Sequence, residues 1–77
     1  MTREALVYDS TVAYGTRVKK STHESCAMIL TKGQLFDDLG LAAPQAAVWF
    51  DDGSQHICKD EHDARVVVES RYALEAP

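Results

Sequence analysis

The sequence contains no apolar run long enough to cross a membrane. A spanning helix needs roughly 20 consecutive apolar residues, and charged residues interrupt every stretch of the 77-residue chain well before that length. The beginning, MTREALVYDS, lacks the basic and then apolar layout of a secretory leader. We therefore expect a cytoplasmic protein that does not bind a membrane. Its length predicts a single domain over residues 1–77, with a core over 5–69 and a tail over 70–77.

Cysteine is scarce, and standard metal motifs are missing. Two cysteines without a leader are more typical of reduced thiols than of a disulfide scaffold. A structural zinc ion needs four converging ligands, and the chain contains no Cys-x-x-Cys pair or other standard zinc spacing. We therefore predict no metal and no cofactor. The side chains that would hold zinc, if it were bound, are those of His23, Cys26, His56, Cys58 and His62.

Recognisable catalytic groups are also missing. The four glycines are scattered and form no phosphate-binding loop. Two pairs of acids, 37–38 and 51–52, are expected in solvent, whereas a general acid needs a desolvated carboxyl group. We predict that the chain is not an enzyme. One alternative stays open, a small oligomeric enzyme whose site forms at a symmetry axis.

Acidic and basic side chains are unevenly distributed along the chain. The total is 8 basic against 12 acidic residues, a net charge of −4. Residues 1–36 carry five bases and three acids, net +2, whereas residues 37–63 carry seven acids and one base, net −6. Such an acidic stretch repels phosphate and attracts cationic surfaces. The charge pattern therefore favours a partner with a basic surface.

The apolar pattern predicts a mainly β protein, α+β by count. Short β-branched and aromatic runs separated by turn residues are typical of strands. One segment near residues 32–40 instead has the spacing of a short inserted helix, with an apolar stripe and a terminal glycine. A helix-turn-helix over residues 31–49 is the competing fold, but Phe36 occupies a position that normally requires a small side chain. The predicted strands span residues 5–8, 12–20, 26–31 and 64–69, and two more form the arms of a hairpin over 46–58.

Three segments resemble small β-barrels of the SH3-like type, as found in Tudor and KOW domains. They are GTRVK at 15–19, VWFDDGS at 48–54 and DEHDARVVV at 60–68. The resemblance covers residues 15–68 and implies an antiparallel barrel of about five strands with one short helix inserted. Barrels of this type bind nucleic acid, so the resemblance is compatible with a binding module, although the net charge argues against that ligand.

The clearest local signal is a predicted hairpin over residues 46–58. Asp52-Gly53 between two apolar runs favours a two-residue type I′ turn. That turn places Trp49 opposite His56 on an exposed face, with Val48 and Ile57 on the core face. Trp49 and His56 are therefore predicted as partner-binding anchors, together with Tyr14. Acids that would steer a basic partner are Asp37, Asp38, Asp51 and Asp52.

These features together predict a small acidic, non-enzymatic protein-interaction module. Its size and charge are also those of phage or mobile-element inhibitors that occupy a basic nucleic-acid-binding surface of a host protein, which is one form of the hypothesis. The second hypothesis is a nucleic-acid-binding or transcription-regulatory domain. It would use the basic side chains of Arg17, Lys19, Lys20 and Lys32.

Overall fold

The protein folds into one antiparallel sheet that carries a helix on one face. A computed structural model describes residues 6–20 and 24–73. The chain runs through β1 (Leu6–Asp9), β2 (Gly15–Lys20), β3 (Ser25–Leu30), α1 (Gln34–Asp38), β4 (Ala46–Phe50), β5 (Gln55–Cys58) and α2 (Glu61–Ala73). The predicted fold class, mainly β with five antiparallel strands and a short inserted helix, is confirmed.

The five strands form an open sheet in the order β1-β2-β3-β4-β5. Every neighbouring pair is antiparallel and consecutive in the chain. The start of β2 lies very close to the end of β3, because a Cβ atom on Gly15 would collide with the Ile29 carbonyl oxygen. Glycine therefore allows β2 to enter the sheet beside β3.

The hairpin between β4 and β5 differs from the predicted one by one residue. Phe50 N–H donates to the Ser54 carbonyl at 3.0 Å and Gly53 N–H donates to the Phe50 carbonyl at 3.0 Å, which closes a three-residue loop. Gly53 adopts φ 89°, the left-handed conformation that such loops require. The Asp52 carboxylate also accepts a hydrogen bond from Ser54 N–H at 2.9 Å. The predicted two-residue turn is therefore wrong.

This single-residue difference reverses the orientation of β5, because side chains alternate along a strand. Trp49 lies opposite Gln55, and Val48 lies opposite His56. Ile57, predicted in the core, is 50% exposed. Cys58, predicted on the exposed face, is 8% exposed and joins the core.

The prediction of a strand over 64–69 is also wrong, since these residues lie within α2. Asp60 begins the helix: its carboxylate accepts from Asp63 N–H at 2.8 Å and its carbonyl from Ala64 N–H at 3.2 Å. Ala64 and Val68 are four residues apart, share one helix face and are both fully buried. The gain from burying this face outweighs the preference of a Val-Val-Val run for strand.

The main core lies between α2 and the sheet. α2 packs on β3, β4 and β5. Two tyrosine hydrogen bonds attach its C-terminal half to the sheet: Tyr72 donates to the Cys26 carbonyl at 3.1 Å, and Tyr8 donates to Glu69 at 3.1 Å. Residues 70–73, predicted as part of a tail, therefore belong to the fold, while 74–77 lie outside the described residues. The buried core residues are Val18, Cys26, Ala27, Ile29, Ala46, Val48, Phe50, Cys58, Ala64 and Val68.

Candidate functional site

The face of the sheet opposite α2 presents the most distinctive surface of the described chain. Strand register places four of its side chains in one row across β2 to β5. We call this the open face and define it by that row and by two apolar side chains beside it, Val7 and Ile57, each 50% exposed. The row consists of Arg17, Met28, Trp49 and Gln55.

Trp49 lies at the centre of the open face and is half-buried. Its indole nitrogen Nε1 is enclosed and has no hydrogen-bond partner among residues 6–20 and 24–73. An unpaired buried donor costs about 1–3 kcal/mol. The indole ring thus encloses its nitrogen within the chain and leaves part of its aromatic surface exposed.

A small groove, which we call the Trp49 groove, opens beside this ring where β3 begins and β4 ends. Its volume is about 140 Å³. Asp51 stands at its end with an exposed carboxylate, which makes no hydrogen bond or ion pair with any described residue. The backbone of Asp51 is fixed, because its N–H donates to the Cys26 carbonyl at 3.1 Å. The groove is lined by Ser25, Cys26, Ala27, Met28, Trp49, Phe50 and Asp51.

An aromatic ring, a thioether and an exposed carboxylate around one groove match the chemistry of a cationic side chain. Aromatic faces attract Lys and Arg head groups, and the attraction strengthens where water is excluded. A carboxylate at the rim adds a charge-assisted hydrogen bond. The groove carries no basic side chain in its lining, so it disfavours an anion.

His56 does not join Trp49, contrary to prediction. The actual register places His56 on the α2 side of β5, where its ring meets the edge of Phe50 at 5.4 Å between centroids. Tyr14 does connect with the open face, because its hydroxyl accepts a hydrogen bond from Arg17 Nη2 at 2.9 Å. Tyr14 therefore helps to position Arg17, the β2 residue of the row.

The four acids predicted to steer a partner occupy different environments. Asp52 is engaged within the chain by Ser54 and by an ion pair with Arg71. Hydrogen bonds from Ser54 and then from Arg71 hold the pKa of Asp52 well below its usual range. Asp38 accepts from Gln34 Nε2 at 2.7 Å, and Asp37 is exposed on α1. Only Asp51 belongs to the Trp49 groove.

The basic residues predicted for nucleic acid are divided between surfaces. Arg17 and Lys19 lie on the open face, and Lys19 forms an ion pair with Asp9 at 3.7 Å. Lys20 instead lies over the Tyr72 ring, 5.3 Å from its centroid. Lys32 is exposed just before α1. These four side chains therefore form no continuous basic surface.

The zinc candidates do not converge where the structure describes them. His62 is exposed on α2, and His23 lies outside the described residues. Cys26 and Cys58 are buried, and burial is the main cause that raises the pKa of each thiol. Both thiols are therefore protonated at neutral pH. Residues 6–20 and 24–73 contain no group of three or more His, Cys, Asp or Glu side chains placed to hold a metal ion.

Two residues near the Trp49 groove and the hairpin loop, Met28 and Arg71, were not among the predicted site residues. Met28 lies in the strand predicted over 26–31, and alternation leaves it half-exposed beside Trp49. Arg71 was assigned to the tail, yet its guanidinium lies 4.2 Å from the Phe50 ring centroid and holds the hairpin loop. In the sequence, the acidic pair at 51–52 is the feature that could have indicated a contact between the hairpin loop and a basic side chain elsewhere in the chain.

No protein-family model, no curated protein and no solved structure matches this chain. The similarity to SH3-like barrels of Tudor and KOW type therefore stays a prediction. Within the described ranges, no helix is both long enough and apolar enough to span a membrane.

Proposed function

We propose that this protein is a non-enzymatic interaction module that binds a basic side chain of a partner protein in the Trp49 groove. The observation that carries the proposal is the juxtaposition of the half-buried Trp49 ring with the Asp51 carboxylate, which pairs with none of residues 6–20 and 24–73. The net charge of −4 adds long-range attraction for a basic surface and raises the association rate.

The proposal assigns separate roles to the groove and to the other acids. A cation on the Trp49 ring gains about 0.5–1 kcal/mol at an exposed site and more as water is excluded. Asp51 supplies the opposite charge at the rim. Asp52 takes no direct part, because Arg71 already neutralises it. An inhibitor that covers the basic nucleic-acid-binding surface of another protein is one form of this proposal, supported by size and charge alone.

The direct test uses the single tryptophan of the chain as a reporter. Acetylated and amidated Gly-Lys-Gly, Gly-Arg-Gly and Gly-Glu-Gly peptides are titrated while the Trp49 indole N–H resonance is followed by NMR. We expect saturable shifts at Trp49 and at the Asp51 amide with the two basic peptides. Equal responses to the acidic peptide, or shifts located elsewhere, would contradict the proposal.

A matched pair of variants separates the groove from general charge. Asp51→Asn and Asp37→Asn remove the same charge, but only the first lies at the groove. We expect Asp51→Asn to weaken binding of the basic peptides about fivefold, roughly 1 kcal/mol, and Asp37→Asn to change it less than twofold. Trp49→Ala should weaken binding more than either substitution. Equal effects of the two asparagine variants would show that only net charge matters.

A second candidate function, binding of single-stranded nucleic acid, has one specific observation in its favour. Arg17 shares the row of the open face with Met28 and Trp49, and bases stack on aromatic rings beside cationic groups. Titration with oligodeoxythymidylate distinguishes the two functions. Binding that weakens steeply with salt and requires Arg17 would favour nucleic acid. The absence of binding would instead favour a partner protein as the ligand.

A further inference from the structure

The outer edge of β5 carries backbone groups that no described residue satisfies. Phe50 N–H bonds to the Ser54 carbonyl, so this pair is hydrogen-bonded across the hairpin. Hydrogen-bonded and non-bonded pairs alternate along an antiparallel ladder. His56 and Cys58 therefore point their N–H and C=O groups toward β4, whereas Gln55 and Ile57 point theirs outward.

Neither another strand nor a helix of the described chain covers this edge. β5 is the last strand in the sheet order, and no other described strand pairs with it. α2 lies over β3, β4 and β5 rather than beyond the edge. Because β5 pairs with β4 alone, the outward N–H groups of Gln55 and Ile57 face no strand in the part of the chain that the structure describes.

The β5 edge also lacks the features that normally prevent strands from associating. Proteins commonly place lysine, proline or an inward charge on an exposed edge strand. The four residues of β5, QHIC, include none of these. The edge instead exposes half of the Ile57 side chain. On the opposite edge, Tyr8 packs against the core, donates a hydrogen bond to Glu69 and lies under Arg65 of α2.

We propose that β5 pairs with β5 of a second copy of this chain, antiparallel about a two-fold axis, to form one sheet with five strands from each copy. Two-fold antiparallel pairing places each residue of the strand opposite itself or a nearby residue of the second copy. A charged strand would therefore bring like charges together, whereas the uncharged β5 strand does not. The register sets Ile57 opposite Ile57 of the second copy and Gln55 opposite Lys59. No like charges then meet, and the outward groups of Gln55 and Ile57 gain partners.

The arrangement has a consequence for binding. A two-fold axis perpendicular to the sheet puts both open faces on the same side and both α2 helices on the other. The dimer therefore presents two Trp49 grooves on one continuous surface. Two grooves that face the same way allow one partner to be held at two points, which raises the overall affinity without any new kind of contact. Only five residues pair on each side, so the dimer forms reversibly with concentration.

The test measures mass by sedimentation from micromolar to millimolar concentration. We expect the mass to rise from 8.5 kDa toward twice that value. Ile57→Lys places two cations at the axis and should weaken the dimer about tenfold or more, roughly 1.4 kcal/mol. The control Val66→Lys adds the same charge at a similarly exposed valine of α2 and should leave the dimer intact. A monomer throughout, or equal effects of both variants, would overturn the proposal.

Amide hydrogen exchange supplies a second readout that identifies the edge directly. At low concentration the N–H groups of Gln55 and Ile57 should exchange quickly and those of His56 and Cys58 slowly. Protection of Gln55 and Ile57 should rise with concentration as the edges pair. A dimer in which these two amides remain unprotected would place the interface elsewhere and refute the assignment.

Discussion

Val66 and Val68 provide a matched pair for measuring what α2 contributes to stability. The two valines lie two residues apart in the same helix, yet Val68 is fully buried and Val66 is 45% exposed. Val68→Ala removes two buried carbons, worth about 1.6 kcal/mol, and leaves a cavity that adds about 1 kcal/mol. Alanine returns about 0.5 kcal/mol through its higher helix propensity. The net loss in the free energy of unfolding is therefore about 2 kcal/mol.

The exposed valine should respond in the opposite direction. Val66→Ala removes little buried surface and gains the same propensity of about 0.5 kcal/mol, so this variant should be neutral or slightly stabilised. Urea unfolding followed by Trp49 fluorescence gives both values. For a chain of this size, Val68→Ala should lower Tm by roughly 8–16 °C.

The comparison of the two variants also tests whether residues 66 and 68 lie in a helix or in a strand. In a strand, residues 66 and 68 face the same way because side chains alternate with a period of two. The two substitutions would then cost similar amounts. In a helix they lie on different faces. Equal losses in the two variants would therefore refute the helical assignment and the packing of α2 on the sheet.

Two further predictions concern the contacts that hold α2 and the hairpin. Tyr72→Phe removes the hydrogen bond to the Cys26 carbonyl and should lower the free energy of unfolding by about 1 kcal/mol; an unchanged urea midpoint would show that this bond contributes nothing. Asp52 has a lowered pKa in the folded state, so it stabilises the fold above its ordinary pKa of 3.8, and this contribution is lost as the pH falls below that value. Asp52→Asn should accordingly be less stable at neutral pH but should lose less stability on acidification than the unsubstituted chain; parallel pH profiles would contradict this.

Much of the site depends on a register that local sequence does not determine. Asp52-Gly53 is compatible with a two-residue turn and with the three-residue loop that forms. The loop is favoured by the Asp52 contacts to Ser54 and by Arg71, which reaches it from the end of α2. A residue 17 positions away in the chain thus helps to decide which side of β5 faces the core. Trp49 itself was correctly placed opposite the core face, because the alternation of Val48 and Phe50 is independent of the turn.

The sequence by itself determined the elements whose pattern is local. Alternation after a glycine indicates β2, short apolar runs of strand length indicate β3 and β4, and glycine and proline bound the short inserted helix. The charge imbalance is likewise a property of composition. Tertiary packing decided that residues 61–73 form a helix rather than a strand, because burying Ala64 and Val68 on the sheet adds to the local start at Asp60 and outweighs the strand preference of the valines. It also decided the β5 register and the groove between Trp49 and Asp51, since both arise from contacts between segments far apart in the chain.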